Sequence, residues 1–486
     1  MSISQALRTA QGIFSNTGTQ MSVASKNISN ASNPDYQRRL ALLSTTENGA
    51  RVARIDRSQD YSLAQFFNGS VANASGQSTL LDGLKKIQSV LGGNANENAP
   101  STMLANLQKS LQTYATTPNN TSMAQSVVNA AGDVVKSLNT TSNAVQQLRA
   151  DADKDIAQSI KDLNGYLKQF QEANDTIKNG AGSDKDINDA LDQRDSLIKK
   201  ISEIVGVHPV VRANNDIALY TTDGTVLFET QPRTIAFTPN NVYTAGMTGG
   251  QITIDGVPLT PGKGGDTSAV GKLQALLQIR DVVATQFQAQ LDETARGLIN
   301  AFAEKDRSGG GGVDKPGLFT WSGGTVPNSS AVVAGLASQI KVNPLVDPAQ
   351  GGNIKLLRDG GINGAAYIGN TTGATGYSTI LQALVDNMDA PMAFNPAAGL
   401  DTNTSLLKYS TASIGWFQQL RKEATDGDER KQATLTRADE ALANKVGVSI
   451  DEELALLMDL EQSYKASAKI VTTIDAMMQA LLGMVR

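Results

Sequence analysis

The sequence contains no cysteine, one histidine (His208) and few aromatic residues, 5% of 486 positions. Without cysteine, disulfide frameworks, thiolate metal sites and cysteine nucleophiles are excluded together. With one histidine, a Ser/His/Asp triad would have to use His208, a zinc cage of nitrogen and sulfur ligands cannot be built, and the His-Glu-x-x-His of a zinc protease is ruled out. His208 itself precedes Pro209 at an expected helix-to-strand junction, a setting for a packed or half-exposed imidazole rather than a base. Charge is nearly balanced, 42 basic against 47 acidic residues for a net charge of −5. No basic run of the kind that neutralises phosphates occurs, which argues against a nucleic-acid partner. No stretch reaches the roughly 18 uninterrupted apolar residues of a membrane span, and the N-terminus MSISQALRTAQGIFSNTGTQ has no basic segment leading into an apolar one. Neither a membrane partner nor a cleaved secretory signal is expected.

Other catalytic and ligand motifs are missing too. The glycines at 309–312 lack the Lys-Ser or Lys-Thr ending of a phosphate loop. Asp151, Asp153 and Asp155 alternate like calcium ligands but sit in a helical stretch without the glycine and distal glutamate of a calcium loop, so they read as a helix face. No catalytic, metal or cofactor residue is assigned, and no enzyme is expected.

What is present is long-helix periodicity. Ser2 with Gln5 forms a capping-box pattern at the start of a helix over 1–31. Its small and apolar positions, Leu7, Ala10, Phe14, Thr17, Met21, Ala24 and Ile28, alternate in steps of three and four, the seam of a coiled coil. Pro34 ends it by driving Asn33 toward extended backbone and removing a donor. The last segment mirrors the first. Ser449 and Glu452 form a second capping box, and Asp451, Glu452 and Glu453 stand where carboxylates complement a helix dipole. Leu457, Leu460, Tyr464, Ser467, Val471, Ile474, Met478, Leu481 and Val485 then carry the same alternation. A helix over 450–486 would run roughly 55 Å at about 1.5 Å per residue. Its seam needs a partner, for which the N-terminal helix is the candidate. Seams of this kind, without cover in one chain, would stay mobile until neighbouring subunits supply apolar surface.

Between the ends, helices are expected over 64–205, interrupted at 92–100 and at Pro118, with Val127, Val134, Leu138, Val145 and Leu148 as an apolar face. Further helices are expected over 270–304 and 406–442. Two inserts break the pattern: 207–261 alternates like hairpins, with an Asp223-Gly224 turn, and 307–396 is rich in Gly, Pro and Asn, with a helix near 378–387. The fold class is therefore mainly α with β inserts. Three units follow: a terminal coiled-coil assembly domain (1–60 with 446–486), a helical rod (61–306 with 397–445, including the hairpins of 207–261) and a loop-rich surface insert (307–396).

Particular residues carry a family resemblance. Ala24-Ser25-Lys26-Asn27-Ile28-Ser29-Asn30-Ala31-Ser32-Asn33-Pro34-Asp35-Tyr36 with Arg38 resembles the N-terminal signature of the flagellar rod, hook and hook-associated proteins, although Asp35 stands where glycine is usual. Gly447-Val448-Ser449-Ile450-Asp451-Glu452-Glu453 with Gln462 and Tyr464 is similar to the matching C-terminal end. Leu191-Asp192-Gln193-Arg194-Asp195, running to Gly206-Val207, resembles the hook-associated protein 1 family in particular, over another axial subunit such as hook-associated protein 3 or a flagellin. The resemblance implies a structural role in the bacterial flagellum. It further implies type III export with a flagellar chaperone, self-association in a hook–filament junction zone, hook protein below, and hook-associated protein 3 with the filament above.

Overall fold

A computed structural model describes residues 3–46, 49–180 and 186–484. Ser2 and Val485 lie outside the described residues, as does the side chain of Leu481. The chain opens with α1 (Ile3–Ser29), a hairpin of β1 (Arg39–Thr46) and β2 (Gly49–Arg57), then α2 (Tyr61–Val90), α3 (Pro100–Thr116), α4 (Thr121–Gly180) and α5 (Asn188–Ile204). α4 is 60 residues long, or roughly 90 Å at about 1.5 Å per residue, and is the longest strut of the body. The expected face of Val127, Val134, Leu138, Val145 and Leu148 is buried and continues through Leu163, Leu167 and Phe170.

The hairpin region is built from β3 (Val207–Val211), β4 (Ile217–Thr221) and β5 (Val226–Phe228), antiparallel in sequence order, and from the short β6 (Ile235–Ala236), β7 (Thr253–Ile254) and β8 (Val257–Pro258). Gly224 closes the β4–β5 turn at φ +86°, a left-handed value that glycine adopts without steric cost. α6 (Lys272–Leu277) runs through a π-helical turn into α7 (Ala284–Ala301), and both pack on α4.

Residues 307–396, expected as a surface insert, hold α8 (Leu336–Gln339), α9 (Leu356–Asp359) and α10 (Thr379–Asp389). The segment is woven into the body. Leu318, Phe319, Leu336, Leu381 and Met388 belong to the same buried cluster as Leu298 of α7 and Phe302 just past it, and the rings of Phe302 and Phe319 meet edge to face at 5.0 Å. Its loops lie outside, but its apolar side chains complete the core. α11 (Leu406–Val446) then returns along α2, and α12 (Ile450–Met484) leaves the body to lie along α1. Among the described residues no helix is long and apolar enough to cross a membrane.

Candidate assembly site

The two ends of the chain meet. Phe14 and Tyr464 pack edge to face with ring centroids 4.7 Å apart, while Arg38, just past α1, bonds the first turn of α12. α1 and α12 are therefore antiparallel. Ala10, Thr17 and Ala24 on one side and Leu460, Ser467 and Ile474 on the other are buried, and Leu7, Phe14, Met21, Ile28, Leu457 and Val471 are half-buried. Two seams thought to lack cover in a single chain thus cover each other along much of their length, because the body brings the termini to one end. The outer positions do stay open: Tyr464 is 44% and Met478 40% exposed.

The segment after α1 is held by its own motif. Asn27 is buried, and its Nδ2 donates to Arg39 O at 2.9 Å. Its Oδ1 accepts from Arg39 N at 3.0 Å and from Tyr36 Oη at 2.9 Å. Asn30 Nδ2 donates to Lys26 O at 2.9 Å, adding to the backbone bond that Asn30 N makes to the same carbonyl in the last helical turn. Pro34 lies exposed at the bend. Asp35, where glycine was the usual residue, has no left-handed φ; its N–H donates to Asn33 Oδ1 and its carboxylate accepts from Ser196 Oγ, pinning the turn to α5. Burial pushes the Tyr36 phenol up to about 12, so it remains a donor to Asn27.

Charged residues fasten this segment to the rest. Arg38 reaches Glu453 at 2.6 Å and Glu452 at 2.8 Å, and Arg38 N donates to Val446 O at 2.8 Å. Arg39 and Arg57, paired across the base of the hairpin, are both buried. Between them lies Asp192 of α5, 3.1 Å from Arg39 and 3.0 Å from Arg57; Asp195 takes the other arm of Arg57 at 2.7 Å, and Asp189 bonds Arg39. The hydrogen bond from Arg39 holds Asp189, which is exposed, below the usual carboxylate range, whereas burial raises Asp192 even with two guanidiniums beside it. Arg194, of the same Leu191–Asp195 run, turns inward instead and donates to Asn174 Oδ1 at 3.0 Å.

Sequence reading missed Arg39, Arg57 and Asn16. Asn16, eleven positions before Asn27 on α1, accepts from Val52 N and donates to Ala50 O, latching the far end of the hairpin as Asn27 latches its base. A buried-type asparagine inside an apolar seam was the available signal.

The chain is thus a helical body to which the pair of α1 and α12 is clamped. Two family models match: "Flagellar hook-associated protein FlgK helical domain" over residues 84–318, and "Flagellar basal body rod FlgEFG protein C-terminal" over residues 441–484. These place the chain in the class of flagellar axial proteins. Flagellar hook-associated protein 1 of Escherichia coli (strain K12) is 23% identical over 95% of this chain and 96% of its own length. The protein of the same name from Bacillus subtilis (strain 168) is 23% identical over 98% and 97%. That of Salmonella typhimurium is 26% identical over 46% of this chain and 42% of its own. A solved structure, the flagellar hook junction protein FlgK from Burkholderia pseudomallei, aligns at TM-score 0.42 and 21% identity over 53% of this chain and 47% of that one. The chain belongs to the FlgK family of flagellar hook-associated proteins.

Proposed function

We propose that this chain is a structural subunit of the junction between flagellar hook and filament, acting by packing and not by catalysis. The observation that carries the reading is the clamped antiparallel pair of α1 and α12, which leaves large apolar side chains of α12, among them Met477, Met478 and Leu482, open to other subunits. In this reading the unit of 1–60 with 446–486 is the assembly domain, and the seam residues from Leu7 to Ile28 and from Leu457 onward, with Asn27, Asn30, Tyr36 and Arg38 of the motif, serve assembly. The partners are further copies of the chain, hook protein below, hook-associated protein 3 above, and an export chaperone that covers the apolar ends before assembly at the cell exterior. The test is electron microscopy of cells lacking the gene. Hooks without filaments, with flagellin released to the medium and filaments restored by the gene in trans, are the expected result; normal filaments in the deletion strain would sink the reading.

A further inference from the structure

The β1–β2 hairpin presents an open face whose chemistry is matched by another open face of the same chain. Strand register puts Leu40 opposite Asp56, Leu42 opposite Arg54 and Ser44 opposite Arg51, all on one side of the ribbon. The other side, with Ala41, Val52 and Ile55 half-buried and Leu43 51% exposed, lies against α1, whose Asn16 and Asn27 latch it. The outward side has no cover: Leu40 is 40% and Leu42 39% exposed, and Arg51 and Arg54 rim them in solvent, Arg54 paired with Asp56 at 2.8 Å, so that the rim is net basic through Arg51. A leucine row beside a basic row is therefore held rigidly away from α1.

α12 carries the counterpart. Leu454 and Met458, one turn apart, are 47% and 60% exposed on the side of α12 opposite the buried Leu460 and Ser467. Asp451, Asp459 and Glu461 border them, all exposed; Glu461 is paired with Lys465 one turn on, and Asp451 and Asp459 keep the rim net acidic. The first turns of α12 lie beside the last turns of α1, so this apolar stripe with an acidic rim stands level with the base of the hairpin. The hairpin packs on the side of α1 that carries Asn16 and Asn27 and α12 on the side that carries Ala10, Thr17 and Ala24, so the two open faces are separate surfaces of the molecule.

We infer that the outward face of the hairpin in one copy seats on the Leu454–Met458 stripe of the next copy, apolar row on apolar row and Arg51 and Arg54 against the acidic rim. The proposal rests on the junction reading above and adds which surfaces join the copies. Two different, complementary faces make a heterologous contact, which repeats from copy to copy rather than stopping at a symmetric pair. Charge complementarity at the rim selects this register over hairpin to hairpin, which would bring arginines together.

The absence of cysteine makes the test clean. The full-length double variant Leu42→Cys with Met458→Cys, expressed in place of the natural chain, keeps cells motile under reducing conditions. Oxidation of isolated hook–filament particles then yields a ladder of dimers and higher multimers on a non-reducing gel, while either single variant stays monomeric and the dilute purified double variant does not cross-link. Dimers alone would indicate a symmetric contact and overturn the inference. So would a monomer band from particles that contain the chain, or a photo-cross-linker at position 42 that captures a different flagellar subunit. Absence of the chain from the particles would instead overturn the junction reading along with it.

Discussion

Arg38 and Glu453 are 415 positions apart in the chain, yet Arg38 Nε donates to Glu453 Oε1 at 2.6 Å. The Glu453 side chain is almost fully buried and lies in the first turn of α12, where a carboxylate also faces the positive end of the helix dipole. This contact fixes the angle at which α12 leaves the body, and α1 follows because the residues just past it carry the arginine. The terminal pair is thus aimed by the body.

The Asn27 amide satisfies both backbone groups of Arg39 and the Tyr36 hydroxyl. Asn27→Ala leaves buried polar groups without partners, at about 1–3 kcal/mol each. Faster amide exchange is expected in β1 and in 30–38, with the melting of the helical body little changed. Unaltered exchange there would show that the motif does not hold the segment.

Asp192 and Asp189 provide a matched contrast. Asp192→Ala removes the carboxylate shared by two buried guanidiniums and leaves Arg39 only the exposed Asp189 and Arg57 only Asp195, and breaking such an arrangement costs about 3–5 kcal/mol. The exposed Asp189 contributes at most about 1 kcal/mol through its ion pair. Denaturant midpoints of the two alanine variants should therefore differ widely; equal midpoints would refute the role given to the Arg39–Asp192–Arg57 cluster.

Two helix glycines should respond with opposite sign. A Cβ at Gly76 would stand 2.6 Å from the backbone oxygen of Ala269, so Gly76→Ala forces α2 off its neighbour and should cost about 1–3 kcal/mol. A Cβ at Gly132 of α4 meets nothing within 4 Å, and Gly132→Ala should stabilise by about 0.5–1 kcal/mol. Thermal melting of both variants decides the matter.

Burial raises the Asp292 carboxyl to about 6, against hydrogen bonds from the N–H groups of Ala337 and Gly335. The folded chain therefore holds a proton that the unfolded chain releases from near the ordinary aspartate value of 3.8 upward. The stabilisation from this group is full below that value and is lost as pH rises through about 6, roughly 3 kcal/mol in all at about 1.4 kcal/mol per unit. Asp292→Asn removes this slope. Stability measured from pH 3.5 to 7 should fall more steeply with rising pH in the natural chain than in the variant; parallel curves would refute the assignment.

The exposed end of α12 separates folding from assembly. Met478→Asp should barely shift the melting of the free protein, since the side chain is already 40% exposed. In an apolar contact between subunits the same carboxylate would be buried unpaired at several kcal/mol. The variant should be exported yet leave hooks bare, and normal filaments would remove this turn from the contact.

Sequence alone determined most of the helices, because their signal repeats every three or four residues, although it expected no break between Gly180 of α4 and Asn188 of α5. It determined the capping box of α12 as well, where Ser449 Oγ accepts from Glu452 N, and the strand-turn-strand of β4 and β5. It did not reveal that 307–396 completes the core, since the sparse apolar residues there have no period to read. Nor did it reveal that Arg39 and Arg57 are buried, because an arginine in a hairpin reads as solvent-exposed until a carboxylate is brought to it. Asp192 is 153 positions from Arg39 and 135 from Arg57. Local periodicity says what each segment becomes, whereas pairings across such distances depend on how the whole body closes, and only the tertiary structure decided them.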